Sequence, residues 1–422
     1  MNKTLILNFD KLILTGIGLA AVGVAISYAD IYLFHIWFII IGLVGLLKFK
    51  DSRYLITIKE GFNNHIVFLF FMFLWYSISI IWAPDIILSL KYLFYIFCGM
   101  IISITITQFS VSIEKFNRLY KLLYIIFIIE LIIAILESFT PFRWPISPYS
   151  SSYQFFGKEA VDFLAFENPL SYSKFNPPTG FHWNTNNLAL TMVLILPFFM
   201  CHKKLSIKLI GGIAITLISV LSASRAVFLA LIFIYCIYLV IIKKKITTLL
   251  IIWMIIISTF WGMSNLRDSD NPRINELANS VEALELYLKG DIDIGGSIEW
   301  RRELIDNGIN ALIKTNGIGV GGGGSTALQK KAGGVAGRFT SMHNFWVEIL
   351  VEGGIIFGLI GLFWYSNIIY NLFLISNNKL YIEINFFARA LFLSMIGFIP
   401  AAISASSTIY FFPMWIMFGM AI

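Results

Sequence analysis

The chain has 422 residues, 58% of them hydrophobic and 13% charged, with a formal net charge of +7. A soluble domain carries roughly 25% charged residues, so this balance excludes an ordinary soluble or nucleic-acid-binding protein and points to an all-α, polytopic membrane protein. The three cysteines, Cys98, Cys201 and Cys236, lie in or beside apolar stretches, which excludes a disulfide framework and a thiolate metal site.

A helix needs about 20 mostly apolar residues to cross the hydrocarbon core. In chain order, that rule predicts spans at 9–28, 31–47, 65–83, 86–107, 119–138, 186–201, 207–222, 225–242, 246–263, 345–375, 385–403 and 407–421, about 12 transmembrane helices in all. The first stretch, MNKTLILNFDKLILTGIGLAAVGVAISY, runs on as a helix with no small-residue cleavage site, so a span is expected there and not a cleaved signal.

Alternate connections are basic. They carry Lys48, Lys50, Arg53 and Lys59; Lys115, Arg118 and Lys121; Lys203, Lys204 and Lys208; Lys243, Lys244 and Lys245; and Lys379 with Arg389. The intervening short connections near residues 28–30, 83–85 and 404–407 carry no Lys or Arg. By the positive-inside rule the basic loops and both termini are expected in the cytoplasm.

Residues 1–422 thus read as one membrane domain with two long extracytoplasmic loops, 139–185 and 264–343. Loops beyond about 12–15 residues are usually functional, so chemistry is expected at the outer face. The first loop is rich in aromatics and proline and offers surfaces for stacking sugars, or a cap over the site. The second is partly helical, through NPRINELANSVEALELYLKG and IEWRRELIDNGINALIKTNGIG, the latter ending in a glycine stop.

Several residues are candidates for chemistry. Arg225, in SVLSASRAVFLALIF, is either an interfacial arginine reaching headgroups or a phosphate ligand whose small neighbours let a bulky anion approach. Arg301 and Arg302 sit side by side and either bind phosphate oxygens with their planar forks or pair with Glu299, Glu303 or Asp306 on a solvated face. Gly317–Gly324 lacks the GxxxxGK[ST] pattern, and reads as a hinge or as backbone N–H groups facing an anion.

His343 opens HNFWVEILVEGGIIFGLIG. Its ordinary pKa of roughly 6.5 suits it to taking a proton near neutrality, against the plainer reading of a structural hydrogen-bonding residue. Asn344 and the following helix start add donors. Glu348 and Glu352 follow one and two turns later and require a cavity or a polar partner. There is no HExxH, and the acid pairs Asp268/Asp270 and Asp291/Asp293 lie in an outer loop, where acids often serve solubility, so no metal site and no cofactor are expected.

Four of these elements, in order, resemble the O-antigen ligase and Wzy-type O-antigen polymerase superfamily of membrane glycosyltransferases. They are PTGFHWNTNNLALTMVLILPF, SASRAVFLAL, SIEWRRELIDNGINALIKTNGIGVG and HNFWVEILVEGGIIFGLIG, across roughly residues 175–365. The resemblance implies a GT-C-like, metal-independent, inverting glycosyl transfer at the outer face of the bacterial inner membrane. The donor would be a saccharide on undecaprenyl pyrophosphate. By carry-over, Arg225 and Arg301 would hold the pyrophosphate and His343 would activate or orient the acceptor. Arg302, Asn184, Asn187, Asn344 and Glu348 would be substrate-binding. Ile305 departs from the tryptophan usual at its position, and Arg302 has no firm counterpart.

The implied partners are undecaprenyl-pyrophosphate-linked glycans as donor and acceptor, membrane lipids, and a chain-length regulator protein; no nucleic acid is expected. The first long loop and the AT-rich codon preference suggested by abundant Lys, Ile, Phe and Asn favour polymerase, which joins repeat units into O-antigen or a related polysaccharide. The alternatives are a ligase acting on lipid A-core and a lipid-linked-sugar transporter. A transporter calls for an internal repeat, which the sequence does not display.

Overall fold

A computed structural model describes residues 3–48, 63–158, 177–222, 224–243, 245, 247, 297–335, 339–378, 384–405 and 408–422. The expected span 246–263 (Thr247 excepted), the segment NPRINELANSVEALELYLKG, and most of the basic connection 48–59 lie outside the described residues.

The described chain is helical, as its apolar runs require. The helices are α1 (Lys3–Val22), α2 (Leu33–Lys48), α3 (Asn63–Ser79), α4 (Ile86–Phe109), α5 (Ile113–Phe139), α6 (Thr185–Met200), α7 (Leu205–Leu221), α8 (Arg225–Ile237), α9 (Ser297–Lys314), α10 (Gly324–Lys331), α11 (Phe345–Asn377), α12 (Asn385–Ala401) and α13 (Phe412–Ala421). A two-residue antiparallel hairpin, Ser27–Tyr28 with Ile31–Tyr32, joins α1 to α2. A π-turn, Tyr238–Ile242, prolongs α8.

Side-chain caps set several starts. Asp85 accepts from Leu88 N at 3.0 Å before α4, Ser112 from Lys115 N at 3.3 Å before α5, and Asn344 from Val347 N at 3.3 Å before α11. The stop of α9 is the glycine one the sequence predicts. Asn316 and Gly317 both take positive φ, and Gly317 N donates back to Leu312 O at 3.0 Å.

Among the described residues, four helices are long and apolar enough to cross a membrane: Ile86–Phe109, Ile113–Phe139, Arg225–Ile242 and Phe345–Asn377. Shorter apolar helices pack among them. The outward faces carry apolar side chains that water would penalise, such as Ile87 (82% exposed), Phe363 (74%) and Ile356 (72%). Such a surface suits lipid, and the chain is a mostly helical membrane protein.

The core is continuous across the bundle. α12 packs against α6, α8 and α11, while α13 packs on α4. Gly99 is where α4 meets α13: a Cβ there would fall 2.2 Å from the Trp415 ring, so only glycine admits the indole.

Polar contacts sort the helix ends into two groups. At one end, Asp10 of α1 meets Lys115 Nζ at 3.2 Å and Arg118 at 2.9 Å, on the first turns of α5. Everything else of chemical interest gathers at the other end. Lys91 pairs with Asp30 of the hairpin at 2.6 Å. Buried Glu137 closes α5 by accepting from Trp144 N at 2.8 Å, Thr179 N at 2.7 Å and Gly180 N at 2.8 Å. That one carboxylate therefore holds both described edges of the first long loop.

α11 is not the continuous helix its hydropathy predicts. It breaks at Gly354, where φ is 86° and ψ 172°. The carbonyls released by the break are taken up by distant donors: Val351 O by Val320 N at 2.9 Å, Glu352 O by Gly321 N at 3.0 Å, and Gly353 O by Trp75 Nε1 at 2.7 Å. Ile355 N turns to Gly317 O at 2.9 Å. A Cβ on Gly354 would lie 2.2 Å from Ile318 O, so the splice requires glycine twice over, for its φ and for its space.

The glycine-rich run is thus neither a hinge nor an open anion nest. Its backbone completes a broken helix, and just beyond it the buried Glu352 carboxyl accepts from Ser325 Oγ at 2.7 Å.

Candidate active site

α9 carries Arg301 towards α11 because one of its faces is apolar. Leu304 and Leu312 are buried, and Gly308 between them is packed against Met342, where an added Cβ would fall 2.6 Å from the methionine methyl. Arg301 stands on that face at 301, 304, 308 and 312, the spacing of a helical stripe. Arg302 does not. It lies exposed, with Nε 3.8 Å from Asp306 Oδ2, and the contact is a surface one.

Met342 is followed by His343, a non-glycine residue at φ 48°. The chain can hold that uncommon conformation because both neighbours are anchored. Phe345 N donates to Ala402 O at 3.0 Å, and Trp346 Nε1 to Ile399 O at 2.8 Å, so the start of α11 is clamped to the end of α12. The imidazole Nδ1 is buried with no hydrogen-bond partner among the described residues.

Arg225 comes to the same place from α8. The preceding residue, Ser224, bonds through its hydroxyl to the Ser404 hydroxyl at 2.8 Å. Ser404, two residues beyond the Ala402 carbonyl that anchors the start of α11, therefore ties in the helix start carrying Arg225 as well.

Arg301 feels the charge of Arg225, and His343 feels that of Arg301. Burial lowers the Arg301 pKa from its ordinary value, and the nearby Arg225 guanidinium lowers it further. Burial pushes His343 down to about 4; the positive charge of Arg301 adds to this, and the Ser404 carbonyl opposes it. Arg301 thus lies within electrostatic reach of both Arg225 and His343, in partly desolvated surroundings suited to an anion. Arg225, Arg301 and His343, chosen from three separate elements of sequence, are brought together.

The remaining candidates are placed differently. Asn344 is the cap of α11. Asn184 caps α6 by accepting from Asn186 N at 2.8 Å, and the buried Asn187 Oδ1 has no hydrogen-bond partner among the described residues. Both belong to the start of α6, which packs on α12. Glu348 is buried beneath, its Oε1 accepting from Tyr92 OH at 3.0 Å.

Other features were not foreseen from sequence. Buried His182 Nε2 lies 3.0 Å from Glu130 Oε1 and 2.9 Å from Thr191 Oγ1. Of the first loop's aromatics, Trp144 is used structurally, donating to Ala25 O at 3.1 Å, whereas Phe155 is 83% exposed. Among the described residues, no three His, Cys, Asp or Glu side chains converge as metal ligands.

Residues 210–363 match the family model described as O-antigen ligase. That stretch contains all three members of the cluster. The teichuronic acid biosynthesis protein TuaE of Bacillus subtilis (strain 168) is 21% identical, with 94% of this chain and 79% of that protein aligned.

Proposed function

Since the chain belongs to the O-antigen ligase and polymerase superfamily, we propose that it is the polymerase that joins undecaprenyl-pyrophosphate-linked oligosaccharide repeat units into a surface polysaccharide. The observation that carries the reading is the convergence of Arg225, Arg301 and His343. We place the cluster at the outer face of the bacterial inner membrane, in a chain of about 12 spans with both termini in the cytoplasm. The pairing of Asp10 with Lys115 and Arg118 at the opposite end supports that orientation, because those cations mark a loop expected inside.

The transfer runs without a metal in this reading. The pyrophosphate of the donor lies between Arg225 and Arg301. An acceptor sugar hydroxyl attacks the anomeric carbon from the face opposite the phosphate, and its proton passes to Nδ1 of His343. The bond from the anomeric carbon to the phosphate oxygen breaks, and its electron pair leaves on that oxygen. The two guanidinium groups balance the charge that grows there, a contribution of several kcal/mol in such sites. The configuration inverts, undecaprenyl pyrophosphate departs, and His343 returns its proton to water.

The donor also prepares the base. An imidazole held down to about 4 is a weak proton acceptor. A bound pyrophosphate cancels part of the arginine field and raises its basicity when the substrate is present.

Polymerase is preferred because the relative's name concerns biosynthesis of teichuronic acid, not of lipopolysaccharide. The second reading, a ligase acting on lipid A-core, draws on the family model's own description. Purified protein in nanodiscs, given an undecaprenyl-pyrophosphate repeat unit as sole substrate, separates the two. A ladder of products supports polymerase; transfer only after lipid A-core is added supports ligase and overturns it.

A further inference from the structure

The break at Gly354 turns α11 back on itself. Trp346 and Tyr365 stand 19 residues apart, about 28 Å along a straight helix, yet their ring centroids are 5.1 Å apart. A Cβ on Gly358 would likewise fall 3.7 Å from the Leu350 Cα. Residues 345–353 therefore form a short limb laid along residues 355–377, a stretch long enough to cross the bilayer by itself.

Between the two limbs, α3 and α13 lies a cavity of about 300 Å³. Its walls are hydrocarbon: Phe68 and Met72 of α3, Trp346 and Ile349 of the short limb, Trp364 of the long limb, and Phe418 of α13. Gly358 and Gly361 also line it, so part of the space is left by missing side chains. Two further lining residues, Leu359 and Leu362, are 61% and 56% exposed, which opens the cavity sideways towards lipid. A groove of this kind favours an apolar chain over water.

One end of the groove lies at the candidate site. Phe345 and Trp346 line it two and three residues after His343. Arg301 is bracketed against the same stretch of chain. On one side Trp300 stacks on Phe339 with centroids 5.0 Å apart, and on the other Gly308 packs on Met342. A cationic residue beside the end of a hydrocarbon groove matches an anionic headgroup on an apolar tail.

The chemistry of transfer selects whose tail it is. In the donor, only two phosphates separate the reacting anomeric carbon from the first carbon of the isoprenoid. In the acceptor, the sugars of a repeat unit stand between the attacking hydroxyl and its own pyrophosphate, so its hydrocarbon begins farther away. We propose that the groove between the two limbs of α11 receives the isoprenoid chain of the donor, with the pyrophosphate at the groove's end beside Arg301. The inference rests on the transfer reading for the donor, and on geometry alone for the groove.

The test uses full-length protein in nanodiscs and an undecaprenyl pyrophosphate carrying a diazirine on its second isoprene unit. Light is expected to attach it to peptides holding Phe68–Met72 and Trp346–Ile349, and unlabelled undecaprenyl pyrophosphate to compete. Gly361→Leu fills the groove from the long limb, where a Cβ already meets the Phe68 ring at 3.6 Å, and Ile349→Trp fills it from the short limb. Each should cut labelling and weaken undecaprenyl pyrophosphate binding about 10-fold, while inorganic pyrophosphate, which has no chain, binds within about twofold of native. Labelling of the native protein decides the matter if a filled variant does not fold.

No label on either limb would overturn the groove. So would equal label from a diazirine phosphatidylglycerol that undecaprenyl pyrophosphate does not displace. Arg301→Gln should lower labelling together with binding; labelling at full strength in that variant would overturn the assignment to the donor. A protein that labels as expected but transfers no saccharide would overturn the transfer reading and leave the groove standing.

Discussion

Arg301 and His343, 42 positions apart in the chain, lie so that the charge of the guanidinium opposes protonation of the imidazole. Free Arg301 is itself pressed by Arg225. An anion bound between the two guanidinium groups would offset the repulsion between them.

Titration of His343 follows from this. In the unliganded protein its imidazole is expected to titrate at about 4, well below the ordinary value near 6.5. Because the folded pKa is depressed, the stability it contributes is complete above about 6.5 and declines as pH falls towards 4. Histidine NMR across pH 3.5–8 checks the value, and a repeat with added undecaprenyl pyrophosphate should shift the midpoint upward. A midpoint near 6.5 in the free protein would contradict the buried placement.

Binding separates the two adjacent arginines. Arg301→Gln and Arg225→Gln should each weaken binding of undecaprenyl pyrophosphate about 10- to 100-fold, the scale of a lost charge-assisted hydrogen bond. Arg302→Gln should leave it within about twofold, since that side chain is exposed and meets only Asp306 at 3.8 Å. Isothermal titration in nanodiscs gives the three constants.

The splice in α11 predicts a stability defect. Gly354→Ala forces a Cβ into Ile318 O and requires φ 86° of a residue that resists it, so it should destabilise by more than about 2 kcal/mol. Gly319→Ala should do likewise, because its Cβ would lie 2.5 Å from Glu352 O. By contrast, Gly212→Ala, with open space around it, should be neutral. Thermal melts in detergent rank the three.

Glu352 acts as a structural hydrogen-bond acceptor. Glu352→Ala would leave the buried Ser325 hydroxyl unsatisfied, at about 1–3 kcal/mol. Glu352→Gln keeps one acceptor oxygen and should fold with most of the native melting temperature. If alanine were tolerated as well as glutamine, the carboxylate would not be holding the glycine-rich belt.

How far these features can be read from sequence differs by element. Caps, apolar runs and the glycine stop after α9 are local, and residues such as Asp85, Ser112, Asn344 and Gly317 announce them. Arg225, Arg301 and His343 stood out because charge beside apolar helix starts is costly. The choice between Arg301 and Arg302 was also encoded, in the stripe through Leu304, Gly308 and Leu312, but only for a reader who asks which face of α9 is buried.

The break in α11 was signalled by Gly353–Gly354. Its partner, the belt at 317–321, was not, because the match depends on carbonyls freed by the break itself. Tyr92 with Glu348 spans 256 residues and Ser224 with Ser404 spans 180; no local pattern marks such pairs.

The most direct test of the central claim is the initial rate of saccharide transfer by purified Arg301→Ala and His343→Ala, each monodisperse and with a native-like melt, on an undecaprenyl-pyrophosphate repeat unit. Removing a group that balances charge or takes the proton in the transition state should lower the rate at least 100-fold in each variant. Rates within a few-fold of the native protein would contradict the assignment of this cluster as the site of transfer.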